Sequence, residues 1–369
     1  MNSWRDNVRK VEPYTPGEQP KEEGVIKLNT NENPYPPSDK IKEAMSGIKN
    51  LRKYPDPAAT KLVEAIASYH GFNKEEVFVG VGSDDVLAVA FMTFFNGKKP
   101  IFFPDITYSF YPVWAELFGI PYEKKAVNDA FEIQKEDYYA ENGGVVFPNP
   151  NAPTGAFLSL EVVEDIIQHN QDVVVIVDEA YIDFGGDTAK ELTRKYDNVL
   201  VVQTYSKSRS LAGLRIGYAI GNKELIKAMN DVKYSYNSYT MNEPSIVLGT
   251  AVLEDEEYFQ ETRNKIIDTR EWFQIEMRKI GFSFADSKAN FIFATHESVP
   301  AKEIFEAAKK AKIYVRYFDQ PRINNYLRIT IGTRDEMETL SAIERTPRIP
   351  VARRSSVSIA IPLLMASFG

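Results

Sequence analysis

The sequence predicts an α/β fold: a large domain with a mostly parallel, doubly wound sheet between helices, and a smaller α+β domain. Two observations carry this. The β-branched runs VFVGV, VVVIV and VLVV read as strands buried on both faces, and each belongs to a strand-then-helix alternation. Near residue 240 the texture changes to a long charged amphipathic helix and then to short strands. A chain of 369 residues is long enough for two lobes with separate cores.

Residues 1–40, rich in Pro, Asn and Glu, read as an extended arm and a segment of the small domain. LNTNENPYPP (28–37) is neither helix nor central strand, because proline removes donors and fixes the backbone. The large domain, 41–240, opens with a helix expected over 39–49, the turn RKYPDPAAT and a helix over 60–70. The strand VFVGVGS then leads into the apolar helix DDVLAVAFMTFF. KPIFFPD precedes the helix TYSFYPVWAELFG, and GGVVFPNP precedes LSLEVVEDIIQHN. DVVVIVDEA, NVLVVQTYS and RIGYAIG complete the set of strands. The small domain, 241–346, has one helix expected over 250–280, the strand NFIFATH, the helix AKEIFEAAKKA, and the strands IYVRYF and LRITIGT. Its last helix starts at a capping box, Thr333-Arg-Asp-Glu336. The stretch 347–369 is atypical, basic and then apolar; it is expected to be a poorly ordered tail that the core does not need. No internal repeat is visible.

Composition excludes several chemistries. A net charge of −8 argues against a broad nucleic-acid groove. The absence of cysteine removes disulfides, thiol catalysis and thiolate metal sites, and fits the cytoplasm. No run reaches the roughly 18 apolar residues of a membrane helix, and the first residues lack the apolar core of a signal peptide. The three histidines, His70, His169 and His296, lie outside any motif, so a histidine triad or a zinc site is not expected. His70, before a glycine, reads as a helix-end or surface residue. The chemistry must rest on Lys, Asp, Tyr, Ser and Arg.

Ligands of parallel α/β sheets bind beyond the carboxyl ends of the strands. Gly82-Ser83-Asp84 follows VFVGV and opens a helix, which is either a phosphate seat or a plain helix cap. Asp178-Glu179-Ala180-Tyr181 follows VVVIV. An acid there invites a magnesium-dependent nucleotidase. That reading needs Gly-Lys-Ser/Thr, whereas Gly97-Lys98 is followed by Lys99. Thr204, Tyr205, Ser206 and Lys207 follow NVLVVQ, and Arg215 precedes the next strand. Hydroxyls and a guanidinium suit a phosphate monoester. A lysine beside such a cationic site has its charged form disfavoured, which makes it a nucleophile. An acid, a phosphate cluster and an activated lysine together are what pyridoxal 5′-phosphate requires. Tyr181 is placed for the ring hydroxyl and Tyr108 for a ring face.

Taken in order, LNTNENPYPP, RKYP, NPNAPTG, VVIVDEAYIDF, TYSKSRSLAGLRIGY and LRITIGT resemble the fold-type-I aminotransferases, and within them the histidinol-phosphate group. The resemblance covers roughly 1–345. It implies a fold-type-I transferase bound to pyridoxal phosphate. Lys207 is then the Schiff-base lysine and proton carrier, Asp178 the partner of the ring nitrogen, and Tyr181 that of the ring oxygen. Tyr108 stacks on the ring; Ser83, Asp84, Thr204, Ser206 and Arg215 surround the phosphate. Tyr54 reaches the partner subunit's cofactor, which implies a homodimer with shared active sites. Arg328 holds the substrate carboxylate, and Arg316 and Tyr14 hold the phosphate of the amine. Asn33, in LNTNENP, also falls on the substrate side.

One position departs from the pattern. The family asparagine that contacts the ring oxygen is Ala152 here, so adjacent Asn151 is expected to serve, or Tyr181 to act alone. The implied reaction interconverts histidinol phosphate and 2-oxoglutarate with imidazole-acetol phosphate and glutamate, in histidine biosynthesis. Aromatic amino-acid aminotransferases and threonine-phosphate decarboxylases share the motifs and remain open alternatives. A regulator that binds the cofactor without turnover is set aside, because the arm is too short for a DNA-binding module.

Overall fold

The computed structural model describes residues 4–49 and 51–344. The expected tail, 347–369, lies outside the described residues. The arm carries β1 (Ile26–Lys27), followed by α1 (Asp39–Ser46) and α2 (Thr60–His70). Then come β2 (Val77–Gly80), α3 (Ser83–Phe94), β3 (Ile101–Pro104), α4 (Phe110–Phe118) and β4 (Tyr122–Lys125). β5 (Val145–Pro148), α5 (Leu160–Gln168), β6 (Val175–Asp178), β7 (Val199–Thr204), β8 (Gly217–Gly221) and α6 (Lys223–Tyr236) complete the alternating part. These strands form one sheet in the order β2-β8-β7-β6-β5-β3-β4.

The ladders linking β4, β3, β5, β6 and β7 are parallel. β8 runs antiparallel to both neighbours, β7 and β2. The β7–β8 loop folds back on itself: Tyr205 N–H donates to Ile216 O at 3.0 Å and Leu211 N–H to Tyr205 O at 3.1 Å. That return holds Lys207 and Arg215 at one end of the sheet. Val175, Ile176, Val177 and Val199 to Val202 have no measurable exposure, as strands covered on both faces require. Each such side chain contributes about 1.5–3 kcal/mol by leaving water. β4, with the sequence YEKK, is an edge strand. Its charged, partly exposed side chains blunt the edge and hid it from the β-branched pattern.

The expected helix over 250–280 is two helices, α7 (Glu243–Leu253) and α8 (Glu256–Lys279), interrupted at Glu254–Asp255. The side chain of Asn242 caps α7 by accepting Ser245 N–H at 2.9 Å. Ile246, Leu248 and Val252 of α7 share a core with Ile41 of α1 and with Leu62 and Ile66 of α2. The packing therefore changes lobe between α7 and α8 rather than at 240.

Beyond α8 lie β9 (Phe282–Ser283), β10 (Phe291–His296), α9 (Ala301–Lys310), β11 (Ile313–Tyr314), β12 (Arg316–Tyr317), β13 (Leu327–Thr330) and α10 (Arg334–Glu344). IYVRYF is split at Val315: β11 pairs with β1 of the arm, and β12 pairs with β13. The capping box at α10 is present, with Thr333 N–H donating to Glu336 Oε2 at 2.7 Å and Glu336 N–H to Thr333 Oγ1 at 3.3 Å. Leu28 of the arm lies in the core that α8, β10, β13 and α10 build. No helix among the described residues is long and apolar enough to cross a membrane.

Candidate active site

The carboxyl ends of β6 and β7, the start of α3, the arm and β13 close around a cavity of about 170 Å³. Ser83, Asp84, Tyr108, Ala152, Asp178, Tyr181, Thr204, Ser206, Lys207, Arg215, Arg316, Arg328 and Tyr14 all line it. Thirteen side chains from distant parts of the sequence thus converge on one space.

One end of the cavity is a cup of donors. Gly82, at φ 84°, is the N-cap of α3, so Ser83 is the first helical residue and not the cap. The free N–H groups of that first turn and the positive end of the helix dipole face outward. Thr204 Oγ1 donates to Ser206 Oγ at 3.0 Å, and Arg215 Nη1 reaches Ser206 Oγ at 3.4 Å. Arg215 Nη2 also pairs with Asp84 Oδ2 at 3.0 Å, while Tyr108 OH donates to Asp84 Oδ1 at 2.7 Å. The Asp84 carboxylate therefore orients Arg215 and Tyr108; as an acceptor it cannot itself hold an anion. The cup exists because two glycines lack Cβ. A Cβ on Gly217 would lie 2.2 Å from Ser83 N, and one on Gly82 would lie 2.5 Å from Arg215 Nη2.

At the other end sits Asp178, 4% exposed. Burial pushes its carboxyl up to about 6, against hydrogen bonds from Tyr111 and the Ala180 backbone that hold it down. Tyr111 OH donates to Oδ2 at 2.9 Å and Ala180 N–H to Oδ1 at 3.2 Å. Such a carboxyl calls for a cationic partner. Tyr111 was missed by sequence reasoning; the signal was a second tyrosine three residues after Tyr108, on the buried face of α4.

The Tyr181 hydroxyl accepts a hydrogen bond from Asn31 Nδ2 at 2.9 Å, and the Lys207 ammonium lies 5.8 Å from the centre of its ring. Lys207 Nζ donates to Thr30 O at 3.1 Å, so the arm holds the lysine at the cavity. Arg328 Nη2 donates to Asn29 O at 2.9 Å, but its Nε is buried without a partner among the described residues. Burial lowers the pKa of this guanidinium, and Arg316 nearby adds to the effect. Two arginines at one wall make a site for anions. Tyr14 stacks on Phe110 with ring centres 4.2 Å apart, which fixes the arm over the cavity.

Three expected residues stand elsewhere. Asn151 is buried with its amide fully used: Nδ2 donates to Ile106 O at 2.9 Å and to Thr154 Oγ1 at 3.0 Å, and Oδ1 accepts from Thr107 at 3.1 Å. Its side chain ties the NPNAPTG loop to the turn after β3 and does not replace the missing asparagine; Ala152 lines the cavity in that place. Asn33 braces the arm instead of lining the cavity, donating to Ser208 O at 3.0 Å and accepting Tyr35 N–H at 3.0 Å. Tyr54 is 82% exposed and packs on Tyr239, with ring centres 4.7 Å apart. His70 does end α2, but its Nε2 turns inward to Tyr218 OH at 2.7 Å.

The residues of the site fit pyridoxal phosphate. The glycine-lined cup suits a phosphate monoester, the raised Asp178 suits a protonated ring nitrogen, and the unpartnered Arg328 Nε suits a substrate anion.

Comparison with known proteins agrees with this geometry. Residues 23–343 match the family Aminotransferase class I and II. The chain is 51% identical over 337 residues to a histidinol-phosphate aminotransferase of Lactococcus lactis subsp. lactis (strain IL1403), covering 91% of this chain and 94% of that one. It is equally similar, 51% over 337 residues, to one from Clostridium botulinum (strain Okra / Type B1), covering 91% and 95%. Among solved structures, the histidinol-phosphate aminotransferase of Clostridium acetobutylicum superposes with a TM-score of 0.79 at 22% identity, covering 86% of this chain and 98% of that one. The Sinorhizobium meliloti enzyme, in complex with pyridoxal-5′-phosphate, gives 0.79 at 22%, covering 87% and 91%. At that identity these structures speak to the fold, which is that of the fold-type-I aminotransferases.

Proposed function

Because this chain belongs to the class I and II aminotransferase family, we propose that it transfers an amino group between histidinol phosphate and 2-oxoglutarate, giving imidazole-acetol phosphate and glutamate. The observation that carries the reading is the convergence of Lys207, Asp178, the donor cup and the arginine pair on one cavity. The close relatives named for the same reaction support this substrate pair over the aromatic and decarboxylase alternatives.

Pyridoxal phosphate, when bound, supplies an aldehyde for the amine and a ring that draws electrons from the substrate Cα. The first turn of α3, with Thr204, Ser206 and Arg215, would hold its phosphate. Asp178 would take the ring nitrogen and keep it protonated, with Tyr111 and Ala180 N–H fixing the carboxylate. Tyr181 would donate to the ring oxygen, and Tyr108 and Ala152 would bound the ring. The amine of Lys207, when neutral, would take the proton from the substrate Cα and return it two bonds away, across the amine nitrogen; Thr30 O gives that amine a resting partner. Arg328 takes the α-carboxylate of glutamate. Arg316 and Tyr14 take the phosphate of histidinol phosphate, so each half-reaction has its own anion anchor.

We also assign the protein to the cytoplasm as a homodimer. Tyr54, Tyr236 and Leu51 are 82%, 70% and 68% exposed. Tyr54 packs on Tyr239, and burial of this exposed pair against a second copy would bring Tyr54 to the partner's site.

An absorbance spectrum tests the reading. The purified protein is expected to show a near-visible band, fixed by borohydride at Lys207 and bleached separately by glutamate and by histidinol phosphate. Bleaching by glutamate alone moves the substrate to a relative, and no band after cofactor is added back ends the proposal.

A further inference from the structure

Ala152 leaves the ring-oxygen side of the cavity one side-chain donor short. The network around Asn31 bears on the donor that remains. Asn31 is 1% exposed and comes from the arm, at φ 58°. Its backbone N–H donates to Thr330 Oγ1 at 3.1 Å, and its Oδ1 accepts from the same Oγ1 at 2.9 Å. Its backbone O accepts from Asn290 Nδ2 at 3.1 Å. Its Nδ2 donates to Tyr181 OH at 2.9 Å.

These bonds fix which way the amide points. Thr330 Oγ1 has one proton to give and already accepts from the Asn31 backbone. The arrangement that satisfies every group turns Oδ1 toward Thr330 and Nδ2 toward Tyr181. The Tyr181 oxygen then accepts a hydrogen bond from the Asn31 amide, so its own O–H cannot be directed at Asn31 and is left to donate into the cavity. We infer that Asn31 is a positioning residue: it turns the Tyr181 hydroxyl proton toward the ring oxygen of the cofactor and takes up the function left by Ala152. A hydroxyl that accepts while it donates is also the stronger donor.

This rests on the proposed cofactor chemistry, and the test separates the two. The readout is the pH midpoint of the near-visible band of the cofactor-loaded protein, not turnover. A donor at the ring oxygen withdraws electrons from the neighbouring cofactor–lysine linkage and lowers its hold on a proton. Asn31→Gly removes the amide and suits the positive φ. It is expected to raise the midpoint by about one unit, the size of one hydrogen bond. Adding Ala152→Asn to Asn31→Gly is expected to bring the midpoint back toward wild type. Should Asn31→Gly fail to fold, Thr330→Val frees the amide and is expected to shift the midpoint the same way by less. A wild-type band with an unmoved midpoint in the folded variant overturns the inference and leaves the function standing. A wild-type protein with no band ends both.

Discussion

At the scale of single residues, Asp178 gives the sharpest measurable consequence. Its folded value of about 6 stands above the ordinary 3.8. Between those values the folded, cofactor-free protein holds a proton that the unfolded chain has released. Its contribution to stability is thus full below pH 3.8 and is lost as pH rises through about 6. The loss amounts to at most about 3 kcal/mol. Asp178→Asn should remove it, so the difference in melting temperature between variant and wild type should grow in the variant's favour from about pH 4 to pH 7 in cofactor-free protein. A constant difference would argue against a buried, raised carboxyl. His70, pushed down to about 3 by burial with Lys190 and Arg209 nearby, acts with the opposite sign: its contribution is present above 6.5 and lost as pH falls through about 3. Only the comparison of variants isolates Asp178. Lys207→Ala should cost on the order of 10⁴-fold in single-turnover rate, as loss of the proton carrier requires, while leaving the melting temperature of the cofactor-free protein near wild type. Most of these residues were legible because strand ends mark the ligand side of such a sheet. Asn151 was not: sequence adjacency cannot say that its amide is consumed by Ile106, Thr154 and Thr107.

At the scale of elements, the cup depends on how closely β8 lies against the start of α3. Gly217→Ala would put a methyl 2.2 Å from Ser83 N and 2.3 Å from the Gly82 carbonyl carbon. Both are backbone atoms, so the strand or the helix must move. Cofactor affinity, measured by fluorescence titration, should fall at least about tenfold, in line with the loss of one charge-assisted contact. Unchanged affinity would mean that the first turn of α3 does not hold the phosphate. Arg215→Ala should weaken affinity by a similar or larger factor. The strand–helix alternation was legible because strands covered on both faces read as unbroken β-branched runs, set apart from the helices between them. The break between α7 and α8 was hidden because Glu254–Asp255 contains neither glycine nor proline and continues the charged pattern. β4 was hidden because an edge strand is free to be charged.

At the scale of the whole molecule, the two lobes meet at the arm. Through Leu28, Thr30 and Asn31 it touches the small-lobe core, the lysine and the tyrosine. The proposed homodimer has its own test. Mixing Tyr54→Ala and Lys207→Ala subunits after mild dissociation should restore activity above either variant, toward about a quarter of wild type if pairing is random. Activity equal to the sum of the separate variants would show that no residue crosses between subunits.

The pairing of β1 with β11 joins Ile26 to Ile313 and Lys27 to Tyr314. On a ribosome, the large sheet can close once residue 221 has emerged, since β2 through β8 are then complete. The arm, though synthesised before the sheet, has to wait for β11 before β1 has a partner. A nascent chain halted after β8 would carry the phosphate cup and Lys207, yet leave that lysine without the Thr30 carbonyl held in place. The catalytic centre is therefore finished late in synthesis, by a segment made before the sheet it completes.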